Sequence, residues 1–475
     1  MRIINKAFLK KIIMAFGAQG ISVVISAFIS LVLPETLGVG RYSYWRLFMF
    51  FVGYVGFFHF GFNDGVHLRL GGKKYEELDY VQLGTQLKIL VCIQIFISVI
   101  LISGAYCWMW NTERRFVFIM AALYLIISNV SLFLGYVFQA VDRTDTFSVS
   151  VMVEKGSVLV FVLLFLLVKT NDYTPFICGF TIAKVISLLY LIIKGRKIVF
   201  VKATEIKVAA KDMWVSTSAG VKLMLTNITS TFILGIGQLV IDNVWGIESF
   251  GKISLSLSLT NFVMLFVHQI SMVLFPMLCR VDKHQLENFY RTTRMLLGCI
   301  LPIVFVLYIP MKSILSLILP QYGESLRYLA LLIPLCTFDG KIQMLSNTYL
   351  KVLRKESKLL LFNGIGVGTS VCLSLLFGYC LDSFYGVVIS MVAATAIRSI
   401  VTDIYLSRLL NVPIVRELIK EIGLVIVFVV SAWYCRPLVC FFVVVATYAF
   451  YLWTNKRVID WGRCLFGRYV SAEKS

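Results

Sequence analysis

Apolar runs long enough to cross a bilayer follow one another along most of the chain. A helix needs about 20 such residues to traverse the hydrocarbon core. Runs of that length occupy residues 12–33, 42–62, 85–108, 116–141, 147–168 and 173–193, and six more occupy 213–241, 252–279, 295–319, 326–350, 359–381 and 384–407. The pattern predicts an all-α polytopic membrane protein with 12 core transmembrane helices. A further apolar stretch, Glu421 to Trp453, is interrupted by Arg436-Pro437 and has room for two short tilted crossings or one long helix; two crossings give 14 in total.

Composition agrees with the pattern. Hydrophobic residues make up 59% of the 475 and charged residues 15%, with a mean hydropathy of +0.86, so the chain belongs in a bilayer. The connections are too short to hold a soluble catalytic domain. The longest polar stretches, Arg69 to Gly84 and Lys194 to Asp212, have the character of membrane-face loops. The start, with Lys10 and Lys11 before an apolar run that lacks a small-residue cleavage site, reads as a retained first helix.

A formal charge of +20 raises the question of nucleic acid, but the basic residues fall between the spans. Clusters at Lys194 to Lys211, at Arg280 to Arg294, at Lys351 to Lys358 and after Lys456 place those segments inside. Both termini are then cytoplasmic, which requires an even number of spans. The 11 cysteines are scattered through apolar segments without a CxxC pair and read as small core residues.

An internal repeat organises the spans. Gly40-Arg41-Tyr42-Ser43 and Gly251-Lys252-Ile253-Ser254 precede the second and eighth spans, about 211 residues apart. Arg69 and Arg280 close those spans, Arg143 and Arg354 occupy the loops two spans later, and Lys11 pairs with Lys222 in the same register. Residues 1–194 and 213–410 are expected to form two six-helix lobes in a parallel repeat facing a central cavity. A basic linker, 195–212, joins them, and 411–475 carries helices 13 and 14 and a basic tail.

Charged groups at membrane depth are costly and normally face a wet interior. By position, Lys155, Lys184, Lys222, Lys341 and Arg398 lie inside the hydrocarbon zone, with His268 near the middle of its helix and Arg46 nearer the outer face. Glu154 and Asp339 are the main deep acids and the candidates for ion coupling. A cavity so lined has a net positive field suited to an anionic cargo such as a phosphate or diphosphate. Lys184 and Arg398 fall within one helical turn of repeat equivalence and are expected to form its paired cations, with Arg69 and Arg280 at its cytoplasmic mouth. His59, Asp64 and His67 cluster at the end of the second span and are weaker candidates for a proton or metal. Intramembrane amides such as Asn129, Gln238 and Asn347 read as helix glue. There is no P-loop, nucleophile elbow, HExxH or EF-hand pattern, and the sequence gives no expectation of enzyme activity, cofactor or metal.

The segment Leu33-Pro34-Glu35-Thr36-Leu37-Gly38-Val39-Gly40-Arg41-Tyr42-Ser43-Tyr44, the exit Phe60-Gly61-Phe62-Asn63-Asp64-Gly65, and the second-lobe elements Phe250 to Ser254, Phe275-Pro276 and Leu319-Pro320-Gln321-Tyr322 carry a resemblance. They resemble the Wzx-type polysaccharide flippases of the multidrug/oligosaccharidyl-lipid/polysaccharide exporter (MOP) superfamily. The resemblance implies a bacterial cytoplasmic-membrane protein that moves undecaprenyl-diphosphate-linked oligosaccharide for O-antigen or capsule assembly. It further implies contact with membrane lipids and work alongside a polysaccharide polymerase and a chain-length regulator. A drug or metabolite exporter of the same superfamily, and a membrane polymerase or ligase, are the competing readings.

Overall fold

The computed structural model describes residues 6–141, 143–202, 205–278 and 286–455. All regular structure among these residues is helical. Continuous apolar sequence leaves backbone groups no partner but their own helix, so each run closes its hydrogen bonds internally.

The chain divides into two compact units, Met1–Ile228 and Thr229–Ser475. The first contains α1 (Lys6–Val52), α2 (Phe62–Leu70), α3 (Tyr80–Trp108), α4 (Thr112–Ala140), α5 (Thr144–Leu167), α6 (Tyr173–Lys194), the one-turn α7 (Arg196–Val199) and the opening of α8 (Ile206–Leu278). The second contains the rest of α8, then α9 (Leu286–Ile300), α10 (Ile303–Ile318), α11 (Gly323–Leu332), α12 (Pro334–Lys341), α13 (Asn347–Val352), α14 (Glu356–Leu375), α15 (Phe384–Leu409), α16 (Val415–Tyr434) and α17 (Pro437–Thr454). In the first unit α4 is central and touches α1, α2, α3, α5 and α6. In the second, α15 packs against α11, α12 and α14.

Among the described residues, ten helices are long and apolar enough to cross a membrane, or eleven if the bent pair Pro320–Leu332 and Pro334–Val352 is one span. Two of them are each a pair of helices joined end to end. Gly38 breaks α1 at φ 67°, ψ 172°, and Gly246 breaks α8 at φ 83°, ψ 179°. This backbone region is open only to glycine. Counting the halves separately, the bent pair as one span and α16 as another gives fourteen among the described residues, the number that two C-terminal crossings would make. The polytopic all-α architecture is as the sequence predicts.

Helix ends follow local chemistry. Asp79 caps α3 by accepting from the Gln82 amide at 2.9 Å, Asn111 caps α4 by accepting from Arg114 at 2.8 Å, and Ser383 caps α15 by accepting from Gly386 at 3.2 Å. Tyr75, in the loop before α3, is buried against Phe138 and lies under the Arg143 guanidinium, and that burial pushes its hydroxyl pKa up. The repeat is visible in the turns. The Arg143 amide bonds back to the Phe138 carbonyl at 2.9 Å between α4 and α5, and the Lys355 amide bonds back to Leu350 at 2.7 Å between α13 and α14. Both are the six-to-one closure of a helix C-terminus.

One boundary and the burial of the cysteines differ from the sequence expectation. The ninth span starts at Leu286 rather than 295, because α9 turns a polar face carrying Arg294 into the protein instead of into solvent. Of the nine described cysteines, only Cys299, Cys336 and Cys440 are buried, so the core reading fails for exposed Cys92, Cys107, Cys372, Cys380 and Cys435.

Candidate functional site

Lys184, Arg398 and Lys341 each meet a carboxylate within their own unit. In the first unit the Lys184 ammonium on α6 donates to the Glu154 carboxylate on α5 at 2.7 Å. Both side chains keep some exposure, 16% and 12%. Lys155, the next residue on α5, points elsewhere: its ammonium is 6.0 Å from the Phe180 ring centre, and it makes no ion pair among the described residues. Phe180 belongs to an aromatic cluster with Trp45, Phe48 and Tyr124. Arg46 is half-buried one turn beyond the buried Tyr42.

In the second unit Arg398 on α15 donates to Asp339 on α12 and, at 3.3 Å, to the Asn363 amide oxygen on α14. Gly366 makes room for it, since a Cβ there would lie 3.3 Å from the Arg398 stem. The arrangement echoes the first unit. In each, a cation on the last helix of the six meets a polar side chain on the helix before it, Glu154 in one unit and Asn363 in the other. The second unit brings its carboxylate from α12 instead.

Lys341 has a different setting. Its ammonium is 2.5 Å from Glu421 on α16 and 3.6 Å from Asp403 on α15. Arg294 on α9 completes a quartet, 3.3 Å from Asp403 and 3.6 Å from Glu421. All four side chains are at most 7% exposed. Gly298 opens the space, because a Cβ there would come within 2.6 Å of the Glu421 carboxylate. Glu154 and Asp339 are therefore not the only deep acids. Asp403 and Glu421 are more deeply buried than either, and two cations on two anions leave the quartet neutral, as burial of charge requires.

The remaining candidates scatter. Lys222 is exposed on α8 and makes no ion pair among the described residues. Arg69 is held at the end of α2, donating to the Asp212 carboxylate at 2.6 Å and to the Ser216 hydroxyl at 2.6 Å, both at the start of α8. Gln86 on α3 donates to the other Asp212 oxygen at 2.7 Å. A polar cavity of about 110 Å³ lies beside this cluster, lined also by Lys73, Asp79 and Gln82. Just inside it the backbones nearly touch, since a Cβ on Gly65 would overlap the Ser216 backbone and one on Gly220 would overlap Gly61. Arg280 and the His268 side chain lie outside the described residues. His59 is 3.7 Å from Asp64, whereas His67 turns to the Tyr136 carbonyl at 3.4 Å, so the three do not converge. No group of three metal-ligating side chains occurs among the described residues.

Two of the three amides act as glue, whereas Asn347 donates to Gln343 one turn back on its own helical stretch at 2.9 Å. Asn129 bridges Gln94 at 2.7 Å and the Val55 carbonyl at 3.0 Å, and Gln238 donates to Ser254 at 2.8 Å.

Sequence reasoning missed Arg294, Asp403 and Glu421. Asp403 carried a signal, a charged residue flanked on both sides by apolar helix, whereas Glu421 follows Arg416, Glu417 and Lys420 and reads in sequence as the polar head of an apolar run.

Comparison with known proteins fits this architecture. The family described as polysaccharide biosynthesis protein matches residues 8–282. A comparison with curated proteins finds no match. Among solved structures, the lipid II flippase MurJ in an inward closed conformation is similar with a TM-score of 0.65 at 14% identity, covering 95% of this chain and 100% of that one. An inward-facing multidrug resistance MATE family transporter of the MOP superfamily has a TM-score of 0.62 at 13% identity, covering 84% and 94%. A MOP superfamily transporter from Pyrococcus furiosus has a TM-score of 0.54 at 13% identity, covering 85% and 96%. At such identities the likeness establishes the fold, and the family match covers more than half of the chain. The chain thus belongs to the polysaccharide biosynthesis protein family and is a multi-pass membrane protein with the fold of the MOP superfamily transporters, which bears out the resemblance read from its motifs.

Proposed function

We propose that this protein is a flippase for undecaprenyl-diphosphate-linked oligosaccharide in the bacterial cytoplasmic membrane, working by alternating access with both termini in the cytoplasm. The observation that carries the reading is the pair of membrane-depth cations, Lys184 and Arg398, set within one helical turn of equivalent places on α6 and α15 in a polysaccharide biosynthesis family member. The diphosphate is the part of such a cargo that pays most to leave water, and cations at depth are what lowers that barrier. The polyprenyl tail stays in lipid, where it needs no help from the protein. Lys155 and Lys222, which hold no carboxylate among the described residues, supply further positive charge along the route, and Arg69 draws the headgroup to the cytoplasmic mouth.

The double variant K184A/R398A tests this in cells that depend on the protein for surface polysaccharide. The expected result is loss of polysaccharide display with normal protein in the membrane. Normal display would remove both residues from the transport route.

A further inference from the structure

Lys341, Lys184 and Arg398 fall into two kinds, separated by where their carboxylate partners lie. Lys341 is enclosed with Glu421 and Asp403, whose side chains are 7% and 0% exposed. Lys184 and Arg398 hold carboxylates that reach the surface of the fold, Glu154 at 12% and Asp339 at 27%. For Arg398 the contrast within the pair is steep, since the guanidinium is 3% exposed. An anion approaching Arg398 meets the Asp339 carboxylate first.

The geometry points to Glu154 and Asp339 as displaceable stand-ins for substrate, each occupying a cation until the diphosphate group of the ligand takes its place. This rests on the reading of Lys184 and Arg398 as the diphosphate-binding cations. Four features support exchange rather than a permanent bond. The carboxylates are monoanions, and a diphosphate brings more charge and more acceptor oxygens to the same donors. Arg398 keeps unused capacity, because its Nε has no partner while two of its other nitrogens serve Asp339 and Asn363. Asn363 stays beside the guanidinium when Asp339 leaves, so Arg398 retains its position. Finally, each displaced carboxylate is partly exposed and so has room to move off its cation, unlike the enclosed partners of Lys341.

The device has a consequence for transport. With no cargo, each buried cation is neutralised in place, so the empty carrier can change conformation without dragging bare charge through a low-dielectric region. With cargo bound, the ligand provides the neutralising charge. Occupancy by the carboxylate also lowers apparent affinity by the fraction of time the cation is taken, which keeps the diphosphate from being held too tightly to leave.

The test uses the full chain, purified and placed in nanodiscs, with two probes: inorganic pyrophosphate alone, and nanodiscs carrying undecaprenyl diphosphate. Removing the competitor in D339N or E154Q is expected to tighten binding about tenfold or more, while R398Q weakens it and D339N/R398Q behaves like R398Q. Tightening with both probes identifies the diphosphate itself as the recognised group. Tightening with the lipid probe alone assigns the site to a lipid headgroup, and with pyrophosphate alone to a soluble anion. Unchanged or weaker binding of both probes by D339N and E154Q overturns the inference. Infrared difference spectra of the unsubstituted protein give a second readout that survives misfolded variants. Pyrophosphate is expected to shift a carboxylate band that is absent from the D339E difference spectrum at the same frequency, and no carboxylate change on binding overturns the inference. Failure of the underlying reading looks different: K184A/R398A would then display polysaccharide normally, whatever D339N does.

Discussion

Replacing Glu421 with alanine removes one of two carboxylates that face two buried cations. The structure leaves Lys341 and Arg294 with Asp403 alone, in a cluster where no side chain exceeds 7% exposure. Water has little room to enter, since the adjoining cavity holds about 10 Å³. Breaking a buried ion pair by deleting one partner costs about 3 to 5 kcal/mol, because the remaining charge stays desolvated and uncompensated. For a unit of this size that corresponds to a fall of about 6 to 10 °C in thermal midpoint, measurable by heating detergent-solubilised protein and following the monodisperse fraction. The companion variant K341M/E421Q removes one charge of each sign and leaves Arg294 with Asp403. It is expected to recover most of the loss, as neutral replacements of buried pairs commonly do. An E421A midpoint equal to that of the parent, or a double variant no better than E421A, would refute the argument that charge balance holds α16 against α9, α12 and α15.

Other expectations follow from single contacts. Gly65→Ala places a methyl group on the Ser216 backbone, which has no side-chain freedom to yield, so it should destabilise the protein by about 1 to 3 kcal/mol. Gly246→Ala meets nothing within 4 Å and suffers only the backbone strain of a glycine-only conformation, so about 1 to 3 kcal/mol is expected in the same thermal assay. Arg69→Ala breaks a pair whose members are 38% and 26% exposed, so its effect on stability should stay near or below about 1 kcal/mol and shrink as salt is added. Cys107, Cys380 and Cys435 are exposed near the ends of α3, α14 and α16. With cytoplasmic termini these ends are external, and an impermeant maleimide should label all three in intact spheroplasts. Labelling only after permeabilisation would invert the topology.

The spans were legible because each helix needs its own run of apolar sequence, and the repeat was legible because Gly40, Arg69 and Arg143 recur in one register. Lys184 and Arg398 could be chosen from the same register. Their partners could not. Lys341 and Asp339 are two residues apart in sequence, yet a two-residue step on a helix turns about 200° and sends them to different partners. Asp339 therefore meets Arg398 while Lys341 meets Glu421, 80 residues downstream on a helix whose existence the sequence left between one span and two. Arg294 was hidden for a related reason. It lies where a basic loop passes into an apolar run, and one-dimensional charge counting assigns such residues to the cytoplasmic face. Only the fold shows that α9 begins a turn or more earlier and carries Arg294 inward.

The central claim, that the chain carries a lipid-linked diphosphate across a bilayer, is tested most directly in proteoliposomes containing the purified protein and a fluorescent polyprenyl-diphosphate oligosaccharide. The account predicts protein-dependent movement of the glycan between leaflets, abolished in K184A/R398A. No movement with the intact protein, or equal movement with the double variant, would contradict it.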